Sequence, residues 1–501
     1  MRELQQLRAE FESSSERALG RTTDRLFDLL EKQARRIERL EKENEQLRRR
    51  LAVHEPEEER RAAEPTVAEK SQDYSLAAEE KRRRRKRRKS SKRTARTGRK
   101  PGETKLEQVV RWVDVVPKGV AKKACSLQSE RPVWHLENGR AVLVGYRIYR
   151  ADWQATPRIP GVLARCEYGI EIHVLLAYLV YVIGISIEKA CQLLGFFCHL
   201  PITPSQADAM LTQLGRHFSD EYDTLCALLA NAAVVYTDET SWRVGRLNSS
   251  LWSFTSDLHC LMLFGCSKDR RTLESILPPD LFAGVLVSDD AAVYQRGFSR
   301  SQKCWAHLLR KIFKLALLYP DNETYGTFRD GLLELYCDAK RAASDGRLST
   351  AGRRRRIVEL EERLCQLCHP HWPPTTPDLA PAKSDHEKAF RNLVNELLRL
   401  MTAEQLFEFV LNPQVDPTNN LSERQLRSSA LARKANRTNK TDTGSRRQTH
   451  IVSVLESLRR SLSDFTIDRV VEQVTAHLHR SLSMFQPTGP PNPLATNPAP
   501  T

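Results

Sequence analysis

No segment of this chain is apolar for long enough to cross a bilayer. The longest apolar run, VLLAYLVYVIGISI at 174–187, has 14 residues, whereas a spanning helix needs about 20. It reads as a buried helix. The opening residues, MRELQQLRAEFESSSER, hold no apolar stretch, so no secretory signal is expected. Cysteine provides no framework: 11 residues, an odd number, are scattered over a chain of 501. That usage points to reduced thiols and a cytosolic protein. Aromatics are scarce at 7 %, and apolar residues reach only 40 %. Part of the chain is therefore expected to lie outside any packed core.

What is present is charge, unevenly placed. The net charge is +16, and residues 81–100, KRRRRKRRKSSKRTARTGRK, hold 14 basic residues and no acid. The rest of the chain is nearly neutral. The densest part, Lys81, Arg82, Arg83, Arg84, Arg85, Lys86, Arg87, Arg88 and Lys89, lacks interleaved aromatics. It suits phosphate contact without sequence readout. A polybasic segment by itself also fits RNA or an anionic membrane.

Upstream, residues 24–52 carry heptads. Leu30, Ile37, Asn44 and Leu51 take position a, and Leu26, Gln33, Leu40 and Leu47 take position d. This predicts a coiled coil within 1–52, with Asn44 paired across a two-stranded seam. A chain starting near residue 100 should then sediment as a smaller species than the full chain. Equal sedimentation would move the interface elsewhere. The acidic-then-basic stretch 53–103 and the proline-rich tail 486–501 are read as disordered. The basic run follows the heptads across a linker, the reverse of the bZIP order.

Short alternating runs at 104–156, such as RAVLVGYRIYR, predict strands; 165–230 reads as three helices, the third capped by Ser205. Four β-rich runs follow: AAVVYTD (232–238), SLWSFTS (250–256), HCLMLFGCS (259–267) and AGVLVSDD (283–290), with RTLESIL a short helix before the last. SQKCWAH (301–307) is expected to be a fifth strand. Residues 325–410 are helical in pattern, and Asp416-Pro417 is expected to cap and open a helix through NNLSERQLRSSALARKA.

Two of these strands run into carboxylates, Asp238 and Asp289. A third acid, Glu423, shares a helix face with Asn420 and Arg427 at i, i+3 and i+7. Read alone, Glu423 and Arg427 make an ordinary surface pair. Read together, three carboxylates suit two Mg²⁺ ions about 3.5–4 Å apart, the arrangement of phosphodiester chemistry. Arg424, Arg427, Arg433 and Lys434 would hold the phosphates of such a substrate. Trp242, Cys304 and His307 are expected beside the site. As a metal pair, Cys304 and His307 are two ligands short. The CQLCH run at 365–369 continues a helical pattern and is not read as a haem or metal motif.

Four stretches, in this order, resemble the insertion-sequence sixty-six (IS-sixty-six) family of DDE transposases: YTDETSWRV (236–244) with LWSFTS, LVSDDAAVY (286–294), CWAHLLRKIF (304–313) and NNLSERQLRSSALARK (419–434). RTGRKPG (96–102), PGVLARCEYG (160–169) and the leucine-rich N-terminal helix fit the same layout. The resemblance implies an α/β fold: an RNase H-like catalytic domain in 231–318, a helical insertion at 319–414, the closing helix at 415–445 and C-terminal helices at 446–485. A helical DNA-binding region at 161–230 would precede it. It implies catalytic, metal-holding roles for Asp238, Asp289 and Glu423, with Mg²⁺ as cofactor and Mn²⁺ able to substitute. Double-stranded DNA, a second copy of the chain through the coiled coil, and accessory proteins of the element are the implied partners, with no membrane. Other readings of the same residues are an RNase H-like resolvase and a non-catalytic DNA-binding derivative. Many members carry paired C-x-x-C motifs before the catalytic domain. Here 104–160 is a degenerate zinc-ribbon-like region with only Cys125 and His135, so the chain is expected to purify without zinc.

Overall fold

A computed structural model describes residues 106–295, 297–372, 384–435, 437–480 and 483–485. The coiled coil, the acidic and basic linker with Lys81–Lys89, and the tail lie outside the described residues.

Three strands come first: β1 (Arg111–Val115), β2 (Ser126–Glu137) and β3 (Arg140–Arg150), in the order β1-β3-β2. β2 and β3 form a hairpin turning on Asn138-Gly139, with φ of 51° and 76°. Both central residues of such a tight turn need positive φ, which Asn and Gly adopt most readily. His135 is used up structurally: Nδ1 lies 2.8 Å from Glu171, and Nε2 shares a hydrogen bond of 3.0 Å with the Tyr146 hydroxyl. Cys125 precedes the other end of β2, about 30 Å away at the strand rise. The two do not meet.

Helices α1 (Ile170–Ala177), α2 (Ile187–Cys198), α3 (Pro204–His217) and α4 (Ser219–Ala230) follow. The third expected helix is thus two, broken at Phe218. Its cap is Thr203 rather than Ser205: the Thr203 hydroxyl accepts from Gln206 N, and the Gln206 side chain reaches back to Thr203 N. Pro204 takes the first helical position, where a missing N–H costs nothing.

The second sheet comprises β4 (Val234–Val244), β5 (Leu247–Thr255), β6 (Cys260–Cys266), β7 (Val285–Ser288) and β8 (Ser301–Lys303), with α5 (Arg270–Ile276) before β7. Its order is β6-β5-β4-β7-β8. The first three strands are an antiparallel meander, and β7 and β8 run parallel to β4. The fifth strand stops at Lys303, earlier than expected, because Cys304 caps α6 (Trp305–Leu318). Side-chain alternation sorts the faces. Val235 and Leu286 pack with α1–α4 and with Ile451, Val454 and Leu455, whereas Tyr236, Val285 and Val287 pack against α6 and the helices that follow it.

Those helices are α7 (Glu323–Ser344), α8 (Thr350–Cys368), α9 (Asp385–Thr402) and the short α10 (Glu408–Leu411). α11 (Asn420–Lys434), α12 (Asp442–Ser461) and α13 (Ile467–Arg480) complete the chain. α11 starts three residues after Pro417. Asp416 instead closes a turn by accepting from Thr418 N and Oγ1.

α12 belongs to the sheet. Cys260, Met262 and Phe264, on the outer edge of β6, donate their N–H groups to Ser457, Ser453 and Thr449 at 2.9–3.0 Å. Four helical residues advance about 6.0 Å and two strand residues about 6.8 Å, so a hydroxyl every fourth residue follows the strand. An edge that would otherwise template aggregation is covered.

Candidate active site

The parallel register sets the site. Val234, Val235 and Tyr236 pair with Val285, Leu286 and Val287. Two residues further along each chain, past the last paired residues, stand Asp238 and Asp289, near enough for the charge of Asp289 to act on Asp238. Asp238 shares the face of Tyr236, the one covered by α6, and Asp289 lines a cavity with His307 and Leu308 of that helix. Asp238 is not the end of its strand, as expected from sequence, because β4 continues with β5 to Val244. It is where β4 outruns β7.

Glu423 arrives in the first turn of α11, and a buried asparagine docks that helix. Asn419 donates from Nδ2 to the Thr237 carbonyl at 2.7 Å and from its backbone N–H to Cys304 Sγ at 3.2 Å. It is fully buried. The sequence reading named its neighbour Asn420, which is exposed and only accepts from Arg424 at the helix start. Two buried oxygens at this junction, Asn419 Oδ1 and Thr237 Oγ1, have no partner.

The electrostatics tie the acids together. Burial first, and then the negative charges of Glu239, Asp289 and Glu423, push the Asp238 carboxyl up to about 7. Glu239, on the opposite face of β4, is nearly buried and held by Lys268 and the Tyr294 hydroxyl. A buried carboxylate raised by its acidic neighbours marks a place where positive charge is missing. The all-oxygen donor set suits hard divalent cations.

Glu423 does not pair with Arg427. Its Oε1 accepts from Arg310 of α6 at 3.1 Å and lies 3.7 Å from His307 Nδ1. Asp290 turns to Arg399 of α9. A cavity of about 480 Å³ opens beside Asp289, Lys303, Cys304, His307 and Arg399, so the helical insertion walls the site.

Lys303 was not foreseen. It is buried beneath the turn after β7, and its ammonium donates to Ser288 Oγ and the Asp289 carbonyl at 3.0 Å and to the Tyr294 carbonyl at 3.2 Å. Burial lowers its pKa to about 8. Lys303→Met keeps the stem but removes the donor shared by three acceptors, of which the Asp289 carbonyl keeps the Ser288 hydroxyl, so it should cost about 1–3 kcal/mol of stability. A urea midpoint that falls at constant slope would register this; an unchanged midpoint would mean the turn holds itself.

Of the other expected site residues, Trp242 is buried against Phe264, its indole donating to Asn439 at 2.7 Å. It is core, four residues along β4 from Asp238. Trp305 is likewise core, donating to the Leu406 carbonyl. Arg433 is spent fastening α11 to Thr240 and Ser241 of β4. Arg424, Arg427 and Lys434 remain exposed on α11.

Residues 165–447 match the family model described as the transposase IS66 family. That span contains Asp238, Asp289 and Glu423. No curated protein matches the chain.

Proposed function

The chain belongs to the IS66 transposase family, and from that premise we propose that it cleaves DNA strands at the ends of its element and joins them to target DNA, with Asp238, Asp289 and Glu423 as the catalytic acids. The observation that carries this reading is the convergence of the three acids, close enough that the charges of Asp289 and Glu423, after burial and Glu239, raise the Asp238 carboxyl. The strand order, a three-strand meander followed by two strands parallel to the first, supports an RNase H-like domain split by the helical insertion.

Two divalent cations held by the three carboxylates, Mg²⁺ by preference, would supply Lewis acidity and a nucleophile at neutral pH. The protein's own contribution is placement. Asp238 sits on β4 and Asp289 directly after β7, Lys303 anchors the backbone of Asp289, and Asn419 presents Glu423. The scissile phosphate lies against this face, with Arg424, Arg427 and Lys434 holding flanking phosphates. The same acids serve both steps: water attacks first, and the freed 3′-hydroxyl then attacks the target strand.

Incubation with DNA carrying the element ends and Mg²⁺ tests the proposal. Cleaved and then joined products are expected. Cleavage without joining would indicate a nuclease, and neither would leave a DNA-binding protein. Among the described residues no helix is long and apolar enough to cross a membrane.

Residues 81–100 would add affinity without specificity. If they contact about six to ten phosphates, log affinity should fall with log salt at about −0.9 per phosphate. Deleting them should flatten that slope and weaken all sequences alike; an unchanged slope would exclude the role.

A further inference from the structure

Cys304 and His307 lack two ligands in sequence, and the fold supplies a third. Cys304 Sγ, a His307 ring nitrogen and a Glu423 carboxylate oxygen all lie within 4.8 Å of one another. Cys304 is the N-cap of α6 and His307 lies in its first turn, so both side chains gather at one helix end. Asn419 brings Glu423 to them by donating its backbone N–H to Cys304 Sγ. His307 Nδ1 is buried and has no hydrogen-bond partner.

We propose that Cys304, His307 and Glu423 form a binding site for a borderline-soft divalent cation of the Zn²⁺ class, separate from the Asp238–Asp289 pair and sharing Glu423 with it. Thiolate and imidazole select such ions over Mg²⁺, which takes oxygen. Three protein ligands with a water in the fourth position make an open tetrahedral site. At zinc bond lengths of about 2.0–2.3 Å the ligand atoms stand roughly 3.3–3.7 Å apart. A rotamer-scale movement of Glu423 away from the exposed Arg310 closes the present gap. Binding releases the Cys304 proton to solvent, and the two resulting negative charges balance the ion.

The site stands on geometry; its consequence rests on the catalytic role proposed for Glu423. A cation held by Cys304 and His307 withdraws Glu423 from the other two acids, so zinc would compete with DNA cleavage. This also revises the expectation of a zinc-free chain, which considered Cys125 and His135.

The test is titration of the full chain with Co²⁺ as the spectroscopic stand-in, in excess Mg²⁺. One equivalent should raise a near-ultraviolet thiolate-to-cobalt charge-transfer band and intense visible bands of a tetrahedral ion, both erased by Zn²⁺. Cys304→Ser should lose the charge-transfer band. His307→Asn, at a partly exposed position, should lose saturation at the concentration that saturates the parent, with thermal melting showing that both variants fold. No band in the parent, or one that survives both substitutions, overturns the proposal. The cobalt spectrum does not depend on cleavage. A failed titration therefore leaves the catalytic reading standing, and inactive-site results that contradict that reading leave the metal site standing.

Discussion

Asp238→Asn, Asp289→Asn and Glu423→Gln are each expected to reduce DNA strand cleavage by roughly a thousandfold or more while leaving DNA binding largely intact. Each substitution keeps the volume and approximate shape of the side chain and removes one negative charge from the cluster proposed to hold cations. Binding survives because it draws on exposed cations of α11 and on the basic run, none of which the substitutions touch. Combining the three should cost little more than any one, since the first loss already disables the unit. Asp290→Asn is the internal control. Asp290 adjoins Asp289 in sequence, but its carboxylate goes to Arg399 of α9. It should lower cleavage far less than Asp289→Asn. Should Asp290 be essential and Asp289 dispensable, the assignment after β7 is off by one. If none of the three acids matters, the transposase chemistry proposed here is wrong and a DNA-binding role takes its place.

The second large effect is on stability, and it has a definite sign. An aspartate ordinarily titrates near 3.8, and Asp238 is raised to about 7. Between those values the folded chain holds a proton that the unfolded chain has lost. This group's contribution to stability is therefore full at low pH and falls as pH rises toward 7. Above about pH 7 the ionised Asp238 costs the folded state on the order of 4 kcal/mol. Asp238→Asn should accordingly raise the melting temperature at pH 8 and raise it much less at pH 5, where most of that cost has not yet accumulated. Mg²⁺ should raise the melting temperature of the parent at pH 8 more than at pH 6, because a protonated carboxyl is a poor ligand. It should do so much less in Asp238→Asn. A parent whose melting temperature ignores Mg²⁺ at pH 8 would remove the basis for a cation site at these carboxylates.

Much of the catalytic sheet was legible. The runs ending at Asp238 and Asp289 are four or five β-branched or apolar residues long, too short for a helix and bounded by turn residues. The position of Glu423 was legible too, as a helix residue with Asn and Arg on its face, but its partner was not. The pattern rules see i, i+4 neighbours and offered Arg427; the carboxylate went to Arg310, 113 residues away. Boundaries slipped for local reasons. Ser205 and Asp416 are both good caps by type. Thr203 has Gln206 three residues on to complete a reciprocal pair, and Asp416 had Thr418 close enough to close a turn instead.

The sequence by itself determined which residues carry the charge, which strands bear two of the acids, and the family to which residues 165–447 belong, because each of these is written in a contiguous motif. Only the tertiary structure decided what surrounds them. Asn419 reaches Thr237 across 182 residues, Lys303 supports Asp289 from a different strand, and the hydroxyls of α12 close the edge of β6 across 185–197 residues. The acids could be named in advance because a carboxylate after an apolar strand is a local signal. Their supports could not, because a buried polar atom takes whichever partner the packing of distant elements brings within hydrogen-bond reach, and that choice leaves no period in the chain.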